Sequence, residues 1–342
     1  MHMKALVVLD TEDFLSDTAP DAQLWWAEEL HKRKIRASFQ MVGEMTRKLK
    51  RLNRQDTINA IKKHDIGYHS NYHSVHPTTV EGNVGKTLAE AIEWTQQRDA
   101  SGLAIVKEVF GQPFSYTTPG TSWTPAALIA YGLNDIKVSF ISPYAIKYKP
   151  YWYCGQLNLD YLIGFDPSFA PDADLQSYFK RLETTIQKAK ENDGVFVIYT
   201  HPGRIYTAQH WDVCYAKGAN PDIEKAPMPP KWPVGHVNKV KERVKNILDY
   251  LQNHPDIEFS DIKSIYQQYS KNKYDLHDIL KDEGLNANQA TKIPLKKRSM
   301  ENPFGNEPIR PQYHKWIPHL DNFQPEEVYT QLEGLAYTTR LA

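Results

Sequence analysis

Cysteine is nearly absent from this chain. Only Cys154 and Cys214 occur among 342 residues. Two thiols so far apart are neither a disulfide framework nor a paired-cysteine metal site, so both are expected to be free. Long apolar runs are also lacking, and no stretch reaches the ~20 residues that a membrane-spanning helix needs. Net charge is missing too: 41 basic residues balance 41 acidic ones. That removes the basic surplus with which nucleic-acid and anionic-membrane binders work. An apolar strand begins almost at once, so no signal peptide is expected within the chain. Met1-His2-Met3 reads as a cloning remnant that could replace a leader.

What is present suffices for a large core. Apolar residues make up 41% of the chain, and the length suits one large domain or two ordinary ones. The 8 Trp and 20 Tyr could line a ligand cleft or serve the core. Lys4–Leu9 (KALVVL) and Val195–Thr200 (VFVIYT) are the clearest buried strands. Further strands are expected at 35–42, 65–67, 114–117, 136–140 and 257–259. Helical periodicity is expected over 22–34, 54–64, 84–110, 125–131, 174–192, 237–253 and 261–269. Residues 144–163 read as an aromatic hairpin, and 203–236 as a loop rich in Pro and Trp. Strand–helix alternation implies a mostly parallel sheet with helices outside, and the count suits a barrel of about 270 residues. Residues 271–342 are polar and broken by proline, and read as an irregular C-terminal extension. Trp316, Ile317 and Leu320 suggest that it docks on the domain or reaches a partner, a second copy of the chain included.

Three polar features each follow an expected strand. Asp10, Glu12 and Asp13 lie in "LDTEDF", His69, His73 and His76 in "GYHSNYHSVHP", and His201 in "VIYTHPG". A parallel barrel gathers such strand ends on one rim. A carboxylate and two imidazoles suit a divalent ion. His69 and His73 are four apart, and His73 and His76 three, so a helical turn would put either pair on one face. A second carboxylate could take a proton from water, His201 could protonate a leaving group, and main chain near Gly120 could face an oxyanion. Singly each feature has a plainer reading: acids after a strand form turns, and a lone histidine is often structural.

Taken in order, strand–acids, H-S-x-x-H, a proline loop and strand–His resemble the polysaccharide deacetylase superfamily (NodB homology, carbohydrate esterase family 4). The resemblance covers residues 4 to about 265. It implies a distorted (β/α)7 barrel and a metal-dependent amide or ester hydrolase. It implies that Asp13, His69 and His73 hold zinc or a similar ion, with His76, which precedes a proline, as the alternative to His73. It implies a base at Asp10 or Glu12, His201 as the acid, and Pro119-Gly120 as the loop toward the oxyanion. The chain departs from the family pattern in two ways. "SYTTPGTSW" (115–123) lacks the arginine that orients the base, and the aspartate that pairs with the catalytic histidine has only Asp166 as a candidate. The expected substrate is an N- or O-acetylated carbohydrate, or a small non-sugar amide as in allantoinase-like relatives. The missing arginine also leaves open a metal-binding scaffold without turnover. Polymer-acting members of the family work outside the cytoplasm, which tips the expected compartment that way.

Overall fold

The computed structural model describes residues 2–271, apart from 84–85, 87, 122 and 141–148. The expected C-terminal extension beyond Lys271 and the first part of the expected hairpin lie outside the described residues.

In chain order the strands are β1 (Met3–Thr11), β2 (Ser38–Met41), β3 (Asp65–Tyr68), β4 (Ser115–Thr117), β5 (Val138–Phe140), β6 (Tyr151–Tyr153), β7 (Gln156–Leu159), β8 (Ile163–Gly164), β9 (Phe196–Thr200) and β10 (Ile257–Phe259). Between them run α1 (Ala19–Lys32), α2 (Gly43–Arg51), α3 (Gln55–Ile61), α4 (Thr79–Asn83), α5 (Leu88–Phe110), α6 (Pro125–Gly132), α7 (Leu175–Glu191), α8 (Val234–Gln252) and α9 (Ile262–Tyr269). Capping explains several helix starts. The side chains of Thr124, Asp174 and Asp261 accept hydrogen bonds from the backbone N–H of Ala127, Ser177 and Ser264, satisfying donors that a helix leaves open.

The strands pair in the order β6-β7-β5-β4-β3-β2-β1-β9-β8, with β10 also on β1. Every pair is parallel except β6–β7. The two ends of this order are joined by one short run. β7 pairs with β5, and β8, three residues further on, pairs with β9. Leu162 N–H donates to Val197 O and Phe165 N–H to Tyr199 O on the way. A single bent segment, 156–164, thus closes a ring of seven parallel strands. This is the distorted (β/α)7 barrel, with β6 and β10 added.

Side-chain alternation divides β1 between two cores. Leu6 and Val8 face the lumen with Phe140, Leu157, Leu159 and Val197. Ala5, Val7 and Leu9 face the helices, among them Trp26 and Leu30 of α1. Burial on both faces is why β1 reads as an unbroken apolar run. Ile262 and Ile265 of α9 join the lumen cluster and fill the bottom of the barrel. Higher up, the lumen turns polar. Gln40 Nε2 donates to Ser38 Oγ and Ser115 Oγ, each at 2.8 Å. Gly67 makes room for it, since a Cβ there would lie 1.9 Å from Gln40 Oε1.

Candidate metal centre and acid–base pair

Continuing the alternation of β1 beyond Val8 brings Asp10 and then Glu12 to the inside of the upper rim. His69 follows β3 directly, Thr117 ends β4, and His201 follows β9. The strand ends therefore converge, as a parallel barrel requires.

Glu12, His69 and His73 bring ligand atoms within 4.8 Å of one another, and all three are buried. Glu12 Oε2 is 3.0 Å from His69 Nε2 and 2.7 Å from His73 Nε2. The outer nitrogen of each ring is already committed. His69 Nδ1 lies 2.9 Å from the Thr117 carbonyl oxygen and also contacts the Thr117 hydroxyl. That hydroxyl donates to Asp10 Oδ1 at 3.1 Å, so it accepts from the ring. His73 Nδ1 lies 2.6 Å from Ser74 Oγ, which donates to Asp212 Oδ2 at 2.6 Å. Both imidazoles therefore carry a proton on Nδ1, and in the neutral form each turns an Nε2 lone pair toward a carboxylate oxygen.

Three electron-pair donors facing one another call for a cation. His73 Nε2 is buried without a well-aligned hydrogen bond, although it lies 2.7 Å from Glu12 Oε2; His69 Nε2 is within hydrogen-bond reach of the same oxygen at 3.0 Å. Such an orphan, in a mixed N/O donor set, fits a divalent ion held by Glu12, His69 and His73. Burial raises the Glu12 carboxyl, yet the imidazoles of His73 and His201 outweigh it and hold Glu12 well below its usual range. Burial works against charge on His73, but the Glu12 carboxylate offsets this and lifts it.

The expected set Asp13–His69–His73 is not the set that the structure gathers. Asp13 Oδ1 accepts from Leu15 N–H at 3.1 Å and Ser16 N–H at 2.8 Å, fixing the turn after β1. His76 is also committed elsewhere, with Nδ1 2.7 Å from Glu81 Oε2 and Nε2 3.0 Å from the Tyr215 carbonyl oxygen. Nor do His69 and His73 share a helical turn. The segment between them is irregular, with Ser70 and His73 at positive φ, and Ser70 Oγ accepts from His73 N–H. Arg98 of α5 holds the chain just beyond this segment through the carbonyls of Val75 and Pro77.

Asp10 lies beside this group. Thr117 and Tyr161, the latter at 2.7 Å, both donate to its Oδ1. Its Oδ2 is 3.9 Å from His201 Nε2. His201 Nδ1 is 2.6 Å from Asp166 Oδ2, so Asp166 holds the position that the sequence left as a candidate. Burial disfavours charge on His201, but the carboxylates of Asp166 and then Glu12 lift it to about 10. Burial likewise opposes charge on Asp166, and His201 more than compensates, holding it at about 2. Pro119 and Gly120 form a short 3₁₀ turn after β4, on the same rim, with Gly120 exposed at φ 55°.

Sequence reasoning passed over Thr117, Tyr161, His210, Trp211 and Asp212. His210 meets the His201 ring edge-on at 4.7 Å, and burial, with the charge of His201, lowers it to about 4. Trp211 Nε1 donates to Glu12 Oε1 at 2.9 Å. The cleft over the site is small, about 10 Å3, and is lined by Asp10, Glu12, Asp13, His201, His210 and Trp211, among others.

No family model matches the chain, and no curated protein is significantly similar to it. Solved structures do resemble it. The 4-alpha-glucanotransferase of Thermococcus litoralis aligns over 78% of this chain and 40% of its own, at TM-score 0.50 and 9% identity. This chain thus spans about two-fifths of that enzyme. A Mycobacterium smegmatis protein assigned as a polysaccharide deacetylase aligns over 79% of this chain and 91% of its own, at TM-score 0.48 and 13% identity. The CE4 domain of a multidomain xylanase from the hindgut metagenome of Trinervitermes trinervoides aligns over 79% and 92%, at 0.41 and 11%. At such identities the likeness concerns the fold alone.

Proposed function

We propose that this protein is a divalent-metal-dependent hydrolase of the deacetylase type, cleaving an amide with water. The observation that carries the reading is the convergence of Glu12 Oε2 with the Nε2 lone pairs of His69 and His73, with Asp10 and His201 beside them. When bound there, a divalent ion, zinc by the chemistry of the donors, would supply Lewis acidity toward a carbonyl and lower the pKa of a water. Asp10 is the base, its unencumbered Oδ2 facing the cleft while Thr117 and Tyr161 hold Oδ1. These two donors do the orienting for which the family uses an arginine. His201, kept protonated by Asp166, gives its proton to the departing nitrogen as the C–N bond breaks. The acyl group leaves as a carboxylic acid and the nitrogen as an amine. The Pro119-Gly120 turn is the candidate to face the oxyanion.

A specific observation favours the smaller of the two expected substrates. A polymer chain needs an open groove, whereas the cleft at Asp10, Glu12 and His201 is only about 10 Å3 and has Trp211 in its wall. A cleft this narrow favours a small acyl amide over a polysaccharide, with the walls parting to admit it. The test is acetate or ammonia release from small amides and from acetylated sugar oligomers, with zinc added and after chelation. Zinc-dependent turnover that disappears in Asp10→Asn supports the reading. A zinc-loaded protein inert to the whole panel would point to a metal-binding scaffold instead.

A further inference from the structure

We propose that Trp211 and Asp212 are positioning residues for the ion site, and that seating their segment and filling the site are one event. This rests on the metal centre proposed above. The two residues are adjacent, and each holds a different ligand. Trp211 Nε1 donates to Glu12 Oε1 at 2.9 Å, which leaves Oε2 to face the two imidazoles. Asp212 Oδ2 accepts from Ser74 Oγ at 2.6 Å. Its acceptance turns the serine proton away from His73, so the ring's Nδ1–H donates to Ser74 Oγ and Nε2 is the nitrogen left for the ion.

His69 is held in a parallel way from within the barrel, through the Thr117 hydroxyl to Asp10. Glu12 and His73 instead depend on a segment outside the strands, the 3₁₀ stretch Trp211–Gly218. Trp211 also packs against Phe14 at 4.4 Å and the His73 ring at 5.4 Å between centroids, so it reaches the ligands only when the segment is down. With the segment lifted, Glu12 Oε1 would lose its donor and His73 its tautomer lock. Linkage then runs both ways: an ion that prefers the seated arrangement must stabilise it by its differential affinity.

The experiment uses the whole chain, stripped with a chelator and titrated with zinc against a chromophoric competitor. Trp211→Phe, Asp212→Asn and Ser74→Ala should each bind zinc about 10–100-fold more weakly, the usual cost of losing an outer-shell partner. Ser74→Thr keeps the hydroxyl and should restore near wild-type affinity. Apo-protein melting identifies any variant that fails to fold, and the Ser74 pair then decides alone. In the wild type, zinc should slow amide exchange over 206–218, and in Trp211→Phe much less. Affinities within threefold of wild type, or exchange indifferent to zinc, would overturn the proposal while leaving the centre intact. A wild-type chain that binds no zinc would overturn both.

Discussion

Glu12 and Asp13 are neighbours in the chain, yet their carboxylates serve different partners. Glu12 Oε2 faces the imidazoles of His69 and His73, whereas Asp13 Oδ1 takes the amide hydrogens of Leu15 and Ser16. Glu12→Gln should therefore lower zinc affinity by more than about 100-fold, beyond the range of outer-shell losses. Asp13→Asn keeps an oxygen for the two amides and should retain its metal. Metal content after dialysis separates the two. An Asp13→Asn protein that came out empty would return Asp13 to the ligand set.

His201 is charged because Asp166 stands behind it at 2.6 Å. Asp166→Asn keeps a hydrogen-bonding group but removes the charge. The turnover number should fall about 10²–10⁴-fold, the usual worth of a general acid, with zinc content unchanged. A loss of zinc in parallel with activity would make Asp166 part of the ion site instead.

How much of this was legible in the sequence can be judged residue by residue. β1 and β9 stand out because burial on both faces demands continuous apolar runs. His69 and His73 stand out by spacing, although an irregular turn and not a helix joins them. The parity of β1 also held a usable signal: Leu6 and Val8 point inward, so Asp10 does too, and Glu12, one residue past the strand, keeps the same side, while Asp13 lines the cleft but spends Oδ1 on the turn. Ending the strand at Leu9 hid it. Helix α2 (GEMTRKLKR) carries little apolar signal because Met45 and Leu49 are its only large apolar side chains, the rest of its buried face being Gly43, Glu44, Thr46 and Lys48. Trp211 was beyond reach for another reason. Its partner Glu12 lies 199 positions away, and no local pattern encodes a contact made only when the barrel closes.

Gly67 tests the packing beneath the site. An added Cβ would meet Gln40 Oε1 at 1.9 Å and Cδ at 2.3 Å, and both serines hold Gln40 in place. Gly67→Ala should cost about 1–3 kcal/mol in urea unfolding, the range for overpacking. Because one side chain blocks the other, Gln40→Ala should recover part of that loss in the double variant. Strict additivity of the two changes would show that the clash is relieved by some other movement.

His64 should make the fold acid-sensitive well away from the site. Its Nε2 lies 2.9 Å from the Ala27 carbonyl oxygen, and its Nδ1 accepts from Ala37 N–H at 3.3 Å. The ring is thus neutral with its proton on Nε2, and a second proton would face the Ala37 N–H. Burial, chiefly, lowers it to about 4 from 6.5. The unfolded chain takes up that proton below about pH 6.5 while the folded chain resists until about pH 4. Stability from this group is therefore complete above about 6.5 and is lost as the pH falls toward 4. The loss between pH 7.5 and 4.5 should be about 2–3 kcal/mol, at 1.36 kcal/mol per pH unit. His64→Asn keeps an acceptor near Ala37 and cannot charge, so its unfolding free energy should fall correspondingly less over the same interval. Equal losses in the two proteins would mean that His64 titrates as freely folded as unfolded, and that the burial deduced for it is wrong.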